Sequence, residues 1–510
     1  MTTDLRDPAT EERGNAGGSR PGPVLVAACL GLFTVFLQTT ETIGTLGAVQ
    51  ADLRLDPADM VWVPSMYTLV VASCVLGAGA LADRWGRRRV FLAGTAAMAA
   101  GALTLILSDS LATVLTGQAI AGLGGALITP SSLALITHAV RDPRRRAGAI
   151  AAWAATSGLG LAVGPLVAGL ALRWWTWHAA FWLNLVVAGL AAAVALGRVA
   201  ESRNPAQRLD WAGQFTAIAG LALLVFWLID GGHHGYGSAR ALAAAAAAVL
   251  LLAAFTVVEL RRAAPMVDLR LMRDPSYGAS LLLAATVLFG FVGLSLLQVL
   301  WLQRVRGLTA LQVGVQLLAE FGAFIAASVL AGILVRRLGP RVLITVGLLL
   351  AAVGAALFAR VEPDTAFAGY AAAFVLFGLG CGLANAPSTA LAVGHVPHGR
   401  EGEAGGTVNA ARQIGAVLGT SILGTLITTR FEDRLAHVRD PRTAFTDAVG
   451  YATWIAVAVL LAGTAVALGL SIWARRRATV PVAAANGALA NGAPADKAVE
   501  GAERDPGRRA

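Results

Sequence analysis

The sequence predicts an all-α polytopic membrane protein of 14 transmembrane helices, built as two six-helix halves with two helices inserted between them. Three observations carry this reading. The 510 residues are 56% hydrophobic and only 14% charged, with a mean hydropathy of +0.67, whereas a soluble chain would carry roughly 25% charged residues. That much apolar surface cannot be hidden from water, so the bilayer is the solvent. The apolar residues fall into runs long enough to cross it, and the arginines gather in the gaps on one side.

A helix needs about 20 apolar residues to span the hydrocarbon layer. In chain order the runs are 24–47, 60–81, 89–107, 111–138, 147–172, 179–197, 211–229, 241–260, 277–301, 312–335, 341–359, 366–394, 404–428 and 448–474. Arginines bound them in turn. Arg84, Arg87, Arg88 and Arg89 follow the second run, Arg141 and Arg144 to Arg146 the fourth, Arg198, Arg203 and Arg208 the sixth. The eighth is followed by Arg261, Arg262, Arg270 and Arg273, the tenth by Arg336, Arg337 and Arg341, the twelfth by Arg400. An even number of crossings puts both tails on one side, which holds 29 of the 40 Lys+Arg against 10 opposite. The positive-inside rule therefore places both termini in the cytoplasm. One loop dissents: residues 430–442 carry four arginines, partly offset by Glu432, Asp433 and Asp440. Arg412, inside the thirteenth run, reads as a side chain that snorkels to the cytoplasmic interface.

The chain thus divides into a disordered cytoplasmic tail (1–22), an N-terminal six-helix half (23–200), two inserted transmembrane helices (201–262), a C-terminal six-helix half (263–475) and a second disordered tail (476–510). The tails are rich in Ala, Gly, Pro and charge, with no helical apolar period. No cleavable signal peptide is evident.

Several function classes drop out. The net charge of +10 lies mostly in interhelical loops, so it is a topology signal and no nucleic-acid partner is expected. The only lysine is Lys497, so no phosphate-cradling GxxxxGK[ST] loop exists. Cys29, Cys74 and Cys381 sit within apolar runs and read as core residues. His233 and His234, in "DGGHHGYGS", lack a third ligand; no metal and no cofactor are expected, the proton gradient being the energy source. Without HExxH, GxSxG or a His/Asp cluster the chain reads as no enzyme, and without a folded output domain as no sensor.

An internal duplication emerges. "GALADRWGRR" (79–88) recurs weakly as "GILVRRLGPR" (332–341), an offset of 253; "GLG" at 122–124 recurs at 378–380, offset 256; Pro130-Ser131 and Ala147-Gly148 recur at offset 257. Parallel repeats about an axis normal to the membrane are one transporter plan, with substrate held between the halves.

The sharpest motif is "GALADRWGRRR". Gly79 lets the second helix approach a neighbour. Asp83 among Arg84, Arg87 and Arg88, with Gly86 in the turn, can form a charge relay that locks one state and breaks in another. In the fifth helix, "SGLGLAVGPLVAGL" sets Gly160, Gly164 and Gly169 around Pro165, small residues for close contact and a proline for a kink.

Taken together these residues resemble the major facilitator superfamily and, within it, the 14-helix drug:proton antiporters. Residues 79–89 resemble its loop signature GxLaDrxGrr. Gly160–Gly169 resembles its antiporter signature gxxxGPxxGG, with Ala168 replacing one glycine. "WHAAFWLN" (177–184), "VELRRAAPMVDLRLMRD" (258–274), "GLGCGLANAPS" (378–388) and "NAARQIGAVLG" (409–419) are also similar to that subfamily. The likeness covers roughly 24–474. It implies a major-facilitator-like fold and a proton-coupled antiporter that exports hydrophobic or amphiphilic drugs or antibiotics across the bacterial plasma membrane by alternating access, functional as a monomer. The alternative is a specific exporter or importer of an endogenous metabolite in the same fold. Two departures stand out. The aspartate of the subfamily's first-helix pattern, LDxTIVNVALP, falls on Gln38, and the usual fourth-helix arginine falls on Gln118. Losing acid and base together avoids an orphan buried charge.

Those departures give meaning to Glu41, one turn from Gln38. Thr34, Gln38, Glu41 and Thr45 are spaced i, i+4, i+7, i+11 and form one polar stripe. Facing lipid, the stripe would cost a few kcal/mol for the acid alone; facing a central cavity it is tolerable. Glu41 is therefore the first proton-coupling candidate. Glu320 is the second, on a stripe with Gln312 and Gln316. The polar groups expected to line the substrate cavity are Thr34, Gln38, Thr45, Gln118, Gln298, Gln316, Asn385 and Asn409.

Overall fold

A computed structural model describes residues 21–140, 142–202, 210–262, 269–396, 401–438 and 440–490. They fold into 14 helices, with no strand among the described residues. The first half comprises α1 (Pro21–Leu53), α2 (Pro57–Trp85), α3 (Arg87–Ile106), α4 (Leu111–Ala139), α5 (Pro143–Trp174) and α6 (Phe181–Arg198). The insert is α7 (Trp211–His234) and α8 (Ala239–Arg261). The second half comprises α9 (Pro275–Arg304), α10 (Ala310–Leu338), α11 (Pro340–Phe358), α12 (Phe367–Val393), α13 (Glu401–Leu435) and α14 (Pro441–Ala490). Thirteen are long and apolar enough to cross a membrane, and the bent α2 makes a fourteenth when its two segments are taken as one span.

The connections are short, and the residues in them fix where helices start. Ser110 and Thr309 build capping boxes with Thr113 and Gln312, and Asp142, Asp210, Ser238 and Asp274 accept hydrogen bonds from first-turn amides. Gln312 is therefore spent on capping α10, because its Oε1 accepts from the Thr309 amide at 2.9 Å, and does not extend the Glu320 stripe. At the other end of the chain, α14 runs through residues 476–490, where a disordered tail is expected. Ala483, Ala484 and Ala485 supply helix propensity there without any apolar period. The remaining tail segments, 1–20 and 491–510, lie outside the described residues.

The duplication is visible in backbone contacts. A methyl group at Gly124 of α4 would lie 2.5 Å from the Met98 nitrogen of α3. At Gly380 of α12 it would strike the Ala351 nitrogen of α11. Gly101 against Ala121 is matched by Gly354 against Phe377, each with 2.5 Å to the facing amide nitrogen. The turns match as well: Gly86, between α2 and α3, has φ +116°, and Gly339, between α10 and α11, has φ +77°. Both sit in the left-handed region that favours glycine. The C-terminal half adds an aromatic core in which Phe291 meets Phe321, Phe324 and Phe377.

The halves meet closely at the end of the bundle away from the termini. There Gly169 of α5 abuts Leu311 of α10, and Pro165 abuts Gly314. Gln303 donates to the Gly44 carbonyl at 3.1 Å. Arg304 reaches Gln50 and Met60 and lies over the Phe445 ring. At the opposite end, among the described residues, a methyl at Gly148 of α5 or at Gly405 or Gly406 of α13 would meet nothing within 4 Å.

The insert is not a spectator. Leu221, Val225 and Ile229 of α7 form one apolar cluster with Val61 and Leu69 of α2 and Val417 of α13, so α7 covers the seam between the halves. Gln214 of α7 donates to the Ser73 carbonyl at 2.6 Å and occupies the space a side chain at Gly77 would need. That carbonyl is the one the Gly77 amide would take in a regular helix. The 54° bend between Asp59–Val75 and Gly77–Trp85 falls at this contact.

If the glycine seams set the packing of both halves, Gly124→Leu and Gly380→Leu should each cost about 1–3 kcal/mol or more by overpacking. The thermal midpoint of the purified chain in detergent should fall for both variants, and by less for Gly148→Leu, which faces open space.

Candidate functional site

The centre of the N-terminal half is a polar knot where α1, α4 and α6 cross. Asn184 of α6 organises it. Its Nδ2 donates to Glu41 Oε1 at 3.1 Å, Gln38 Oε1 at 2.9 Å and the Thr34 carbonyl at 3.3 Å. Gln38 Nε2 donates onward to Gln118 Oε1 of α4 at 3.2 Å and to Thr42 Oγ1 at 3.3 Å. Gln118 Nε2 closes the ring on Thr42 Oγ1 at 2.9 Å. Thr34, Gln38, Glu41, Gln118 and Asn184 are all 0% exposed. The two residues that stand where the resemblance puts an acid and a base are thus in direct contact, as a neutral pair.

The start of α6 is what holds Asn184 in place. In the short 3-10 turn before it (Trp177–Ala180), Trp177 Nε1 donates to Asp52 Oδ2 at 2.9 Å and His178 Nε2 lies 2.8 Å from the Ser108 carbonyl. On the other side of α1, Gly160 and Gly164 of α5 lie against the backbone at Phe33 and Leu37 and at Thr40 and Glu41. The proline-glycine helix thus packs one face on the Glu41 turn, while Pro165 and Gly169 touch α10.

The stripe Thr34, Gln38, Glu41, Thr45 is largely satisfied by hydrogen bonds. It turns inward to α4 and α6, because those helices carry the amides that satisfy it; Thr45 bonds its own helix at Glu41 O, 2.9 Å. In the described state Thr34, Gln38, Thr45 and Gln118 are buried. Two buried oxygens in the knot lack a partner among the described residues, Glu41 Oε2 and Asn184 Oδ1. Asn184 was missed by sequence reasoning. It lies within the quoted "WHAAFWLN", but nothing in spacing ties it to a residue 143 positions away.

The C-terminal half holds a second buried acid. Glu320 of α10 accepts from Ser295 Oγ of α9 at 3.0 Å, and the fully buried Gln298, one turn along α9, lies beside its carboxyl. The other expected polar groups lie apart from it. Gln316 accepts from the Tyr370 hydroxyl at 2.6 Å, Asn385 offers its carbonyl to Arg412, and Asn409 is half-buried on α13.

The basic loop is tied sideways within its own half. Arg87 pairs with Asp83 at 2.9 Å. Arg88 donates to the carbonyls of Ala195 and Leu196, at 3.1 and 2.6 Å, capping α6. Glu201 accepts from the amides of Arg88 and Arg89, each at 3.1 Å, and would clash with a side chain at Gly86. Arg84 is exposed, and Gly79 brings α2 within reach of Pro130 on α4. Glu201 is a second residue that the motif alone did not reveal.

Two repeated six-helix halves, each with a buried acid, closed on each other at one end, define a secondary transporter. The sequence matches the Major Facilitator Superfamily over residues 28–420, and the chain belongs to that superfamily; it is a multi-pass membrane protein. It is 34% identical over 409 residues to the multidrug resistance protein Stp of Mycobacterium tuberculosis, covering 79% of this chain and 75% of that one. It is also 34% identical over 453 residues to the tetracenomycin C resistance and export protein of Streptomyces glaucescens, covering 87% and 84%. Among solved structures, a POT family transporter in complex with 5-aminolevulinic acid superposes with TM-score 0.62 at 14% identity, over 86% of this chain and 94% of that one; this likeness concerns the fold.

The neutral Gln38–Gln118 contact makes a direct test possible. Gln38→Asp or Gln118→Arg alone buries an unopposed charge, a loss of roughly 3–5 kcal/mol. The double variant restores a pair at the same contact and should recover most of that loss in thermal unfolding. Additive losses would show that the two side chains are not coupled.

Proposed function

We propose that this chain is a proton-coupled efflux transporter that exports hydrophobic or amphiphilic drugs or antibiotics across a bacterial plasma membrane by alternating access, with Glu41 as the coupling site. The efflux reading is supported by the named relatives. The observation that carries the coupling is the pair of orphaned oxygens, Glu41 Oε2 and Asn184 Oδ1. A carboxylic acid and a carboxamide complement one another: amide N–H to one acid oxygen, acid O–H to the amide oxygen. The first half of that exchange is present at 3.1 Å. A proton on Oε2 would turn that oxygen into a donor, and Asn184 Oδ1 is a buried acceptor with no partner among the described residues. Without the proton, the site would hold an unopposed charge with no cationic side chain bonded to it, so proton release requires α1, α5 or α6 to move and admit water.

Driving force is sufficient. One charge moving through 100 mV is worth about 2.3 kcal/mol, which at about 1.4 kcal/mol per tenfold sustains roughly a 50-fold outward gradient. With the basic loops and both termini in the cytoplasm, the far end, where Gly169 meets Leu311, is external. A cysteine at Arg84, in a variant lacking the native cysteines, should react with an impermeant maleimide only after cells are permeabilised.

The coupling test is proton release from everted vesicles on adding candidate drugs. Wild-type chain should release protons in response to at least one compound, and Glu41→Gln at equal expression should lose the response. An unchanged response would move coupling to Glu320. Silence of the wild type to every compound would count against export.

A further inference from the structure

Arg412 does not snorkel. It lies on α13 a little over two turns from Ala404, where that apolar span begins, or about 12 Å along the axis, and its guanidinium turns inward to α12. Nη2 donates to the Asn385 carbonyl, to Thr389 Oγ1 at 2.9 Å and to Ser388 Oγ at 3.3 Å. All three acceptors are neutral. Among the described residues no carboxylate lies within ion-pairing distance of it, its Nε is buried without a partner, and so is the Asn385 side-chain oxygen beside it. An intramembrane cation held by neutral dipoles alone is costly, and such groups mark ligand or ion paths.

The faces of α13 say where the unspent charge points. Ala404, Val408 and Ala411 pack with Tyr277 and Leu281 of α9. Ala410 packs with Val75 of α2 and Ala126 of α4, and Val417 with α7. The remaining face carries Gly405, Asn409 and Arg412 at i, i+4, i+7. It adjoins the face that Ala410 turns to α2 and α4, and a methyl group at Gly405 would meet nothing within 4 Å among the described residues.

We infer that Arg412, with Asn385 and Asn409 beside it, is the subsite for the acidic group of an anionic amphiphile, which the chain selects among its substrates. The inference rests on the efflux reading and narrows its substrate class. Arg412 supplies the charge and fixed donors. The Asn385 oxygen accepts a hydrogen bond from a neighbouring hydroxyl or amide of the ligand. Surrounding apolar residues take its rings. At this depth, and facing the interior, the site suits a free amphiphile and not a lipid phosphate, which stays at the interface.

The test uses two probes that share one ring system: 8-anilino-1-naphthalenesulfonate, and N-phenyl-1-naphthylamine, which lacks the sulfonate. Binding to the full-length chain in phosphatidylcholine nanodiscs is read by energy transfer from tryptophan, with empty discs subtracted. Wild type should bind the sulfonate at least about tenfold more tightly than the amine, as one charged hydrogen-bonded contact warrants. Arg412→Gln should abolish that preference, and Arg412→Lys should keep most of it. The proposal is overturned by a wild type that does not prefer the anion, a result needing no variant at all, or by a preference that survives Arg412→Gln. A preference that phosphatidylglycerol in the discs abolishes would assign the site to a lipid headgroup and overturn it too. No proton gradient enters this measurement, so failure of the efflux reading in vesicles and failure of the anion site are separate results.

Discussion

The hydrogen bonds of one buried carboxyl constrain the N-terminal half more than any apolar contact does. Lipid offers no donors, so every polar atom on α1 must be met by another helix or by its own backbone. The side-chain oxygens Glu41 Oε1 and Gln38 Oε1 share one amide donor, Asn184, and much follows from getting that amide there. The 3-10 turn before α6 is pinned at Asp52 and Ser108. The end of α6 is capped by Arg88 of the basic loop. The loop itself is held by Glu201. A motif at the membrane surface and an acid in the membrane interior are thereby joined through one helix.

Glycine plays the complementary part. The contacts at Gly124 and Gly101, repeated at Gly380 and Gly354, are backbone to backbone. Without a hydrophobic driving force between helices in lipid, such close approach is where packing energy is gained. The repetition of these contacts at nearly constant offset is physical support for a duplication that a few short sequence matches only outlined. It also explains why Asp83 could lack a counterpart in the second half: the turn at Gly339 keeps its backbone shape without it.

Much of this was legible in the sequence, and the reasons are specific. Helices were countable because each run of apolar residues has to cover a fixed thickness, and the glycines of α5 announced close contact because no other residue permits it. The stripe from Thr34 to Thr45 was legible as a stripe, since 3.6-residue periodicity fixes which residues share a face. Its direction was not. A helical face can be satisfied by a cavity or by a neighbour's amides, and the choice here depended on Asn184, distant in sequence and unremarkable in type. Arg412 shows the same limit. Position in a span says how deep a charge lies, but not whether its side chain reaches outward to headgroups or inward to the carbonyl of Asn385. The contact of Gln214 with α2 was likewise hidden, because an amide near the start of an inserted helix gives no sign of the carbonyl it will meet.

The arrangement places chemistry and motion on one element. α5 lies against the backbone of Glu41 through Gly164 and against α10 of the other half through Pro165 and Gly169. Any shift of α1 that lets water reach the carboxyl must slide along this glycine face, and α5 cannot follow without disturbing its contact with α10. The reverse holds equally, since opening the far end parts Gly169 from Leu311 and removes the support behind Glu41. Linkage requires that two events sharing one structural equilibrium bias each other by the same free energy. The Glu41 turn and the far-end seam share α5. On the function proposed above, the proline-glycine helix is where protonation and alternating access would be coupled, and its tolerance for close approach, more than any charge on it, suits it to that task.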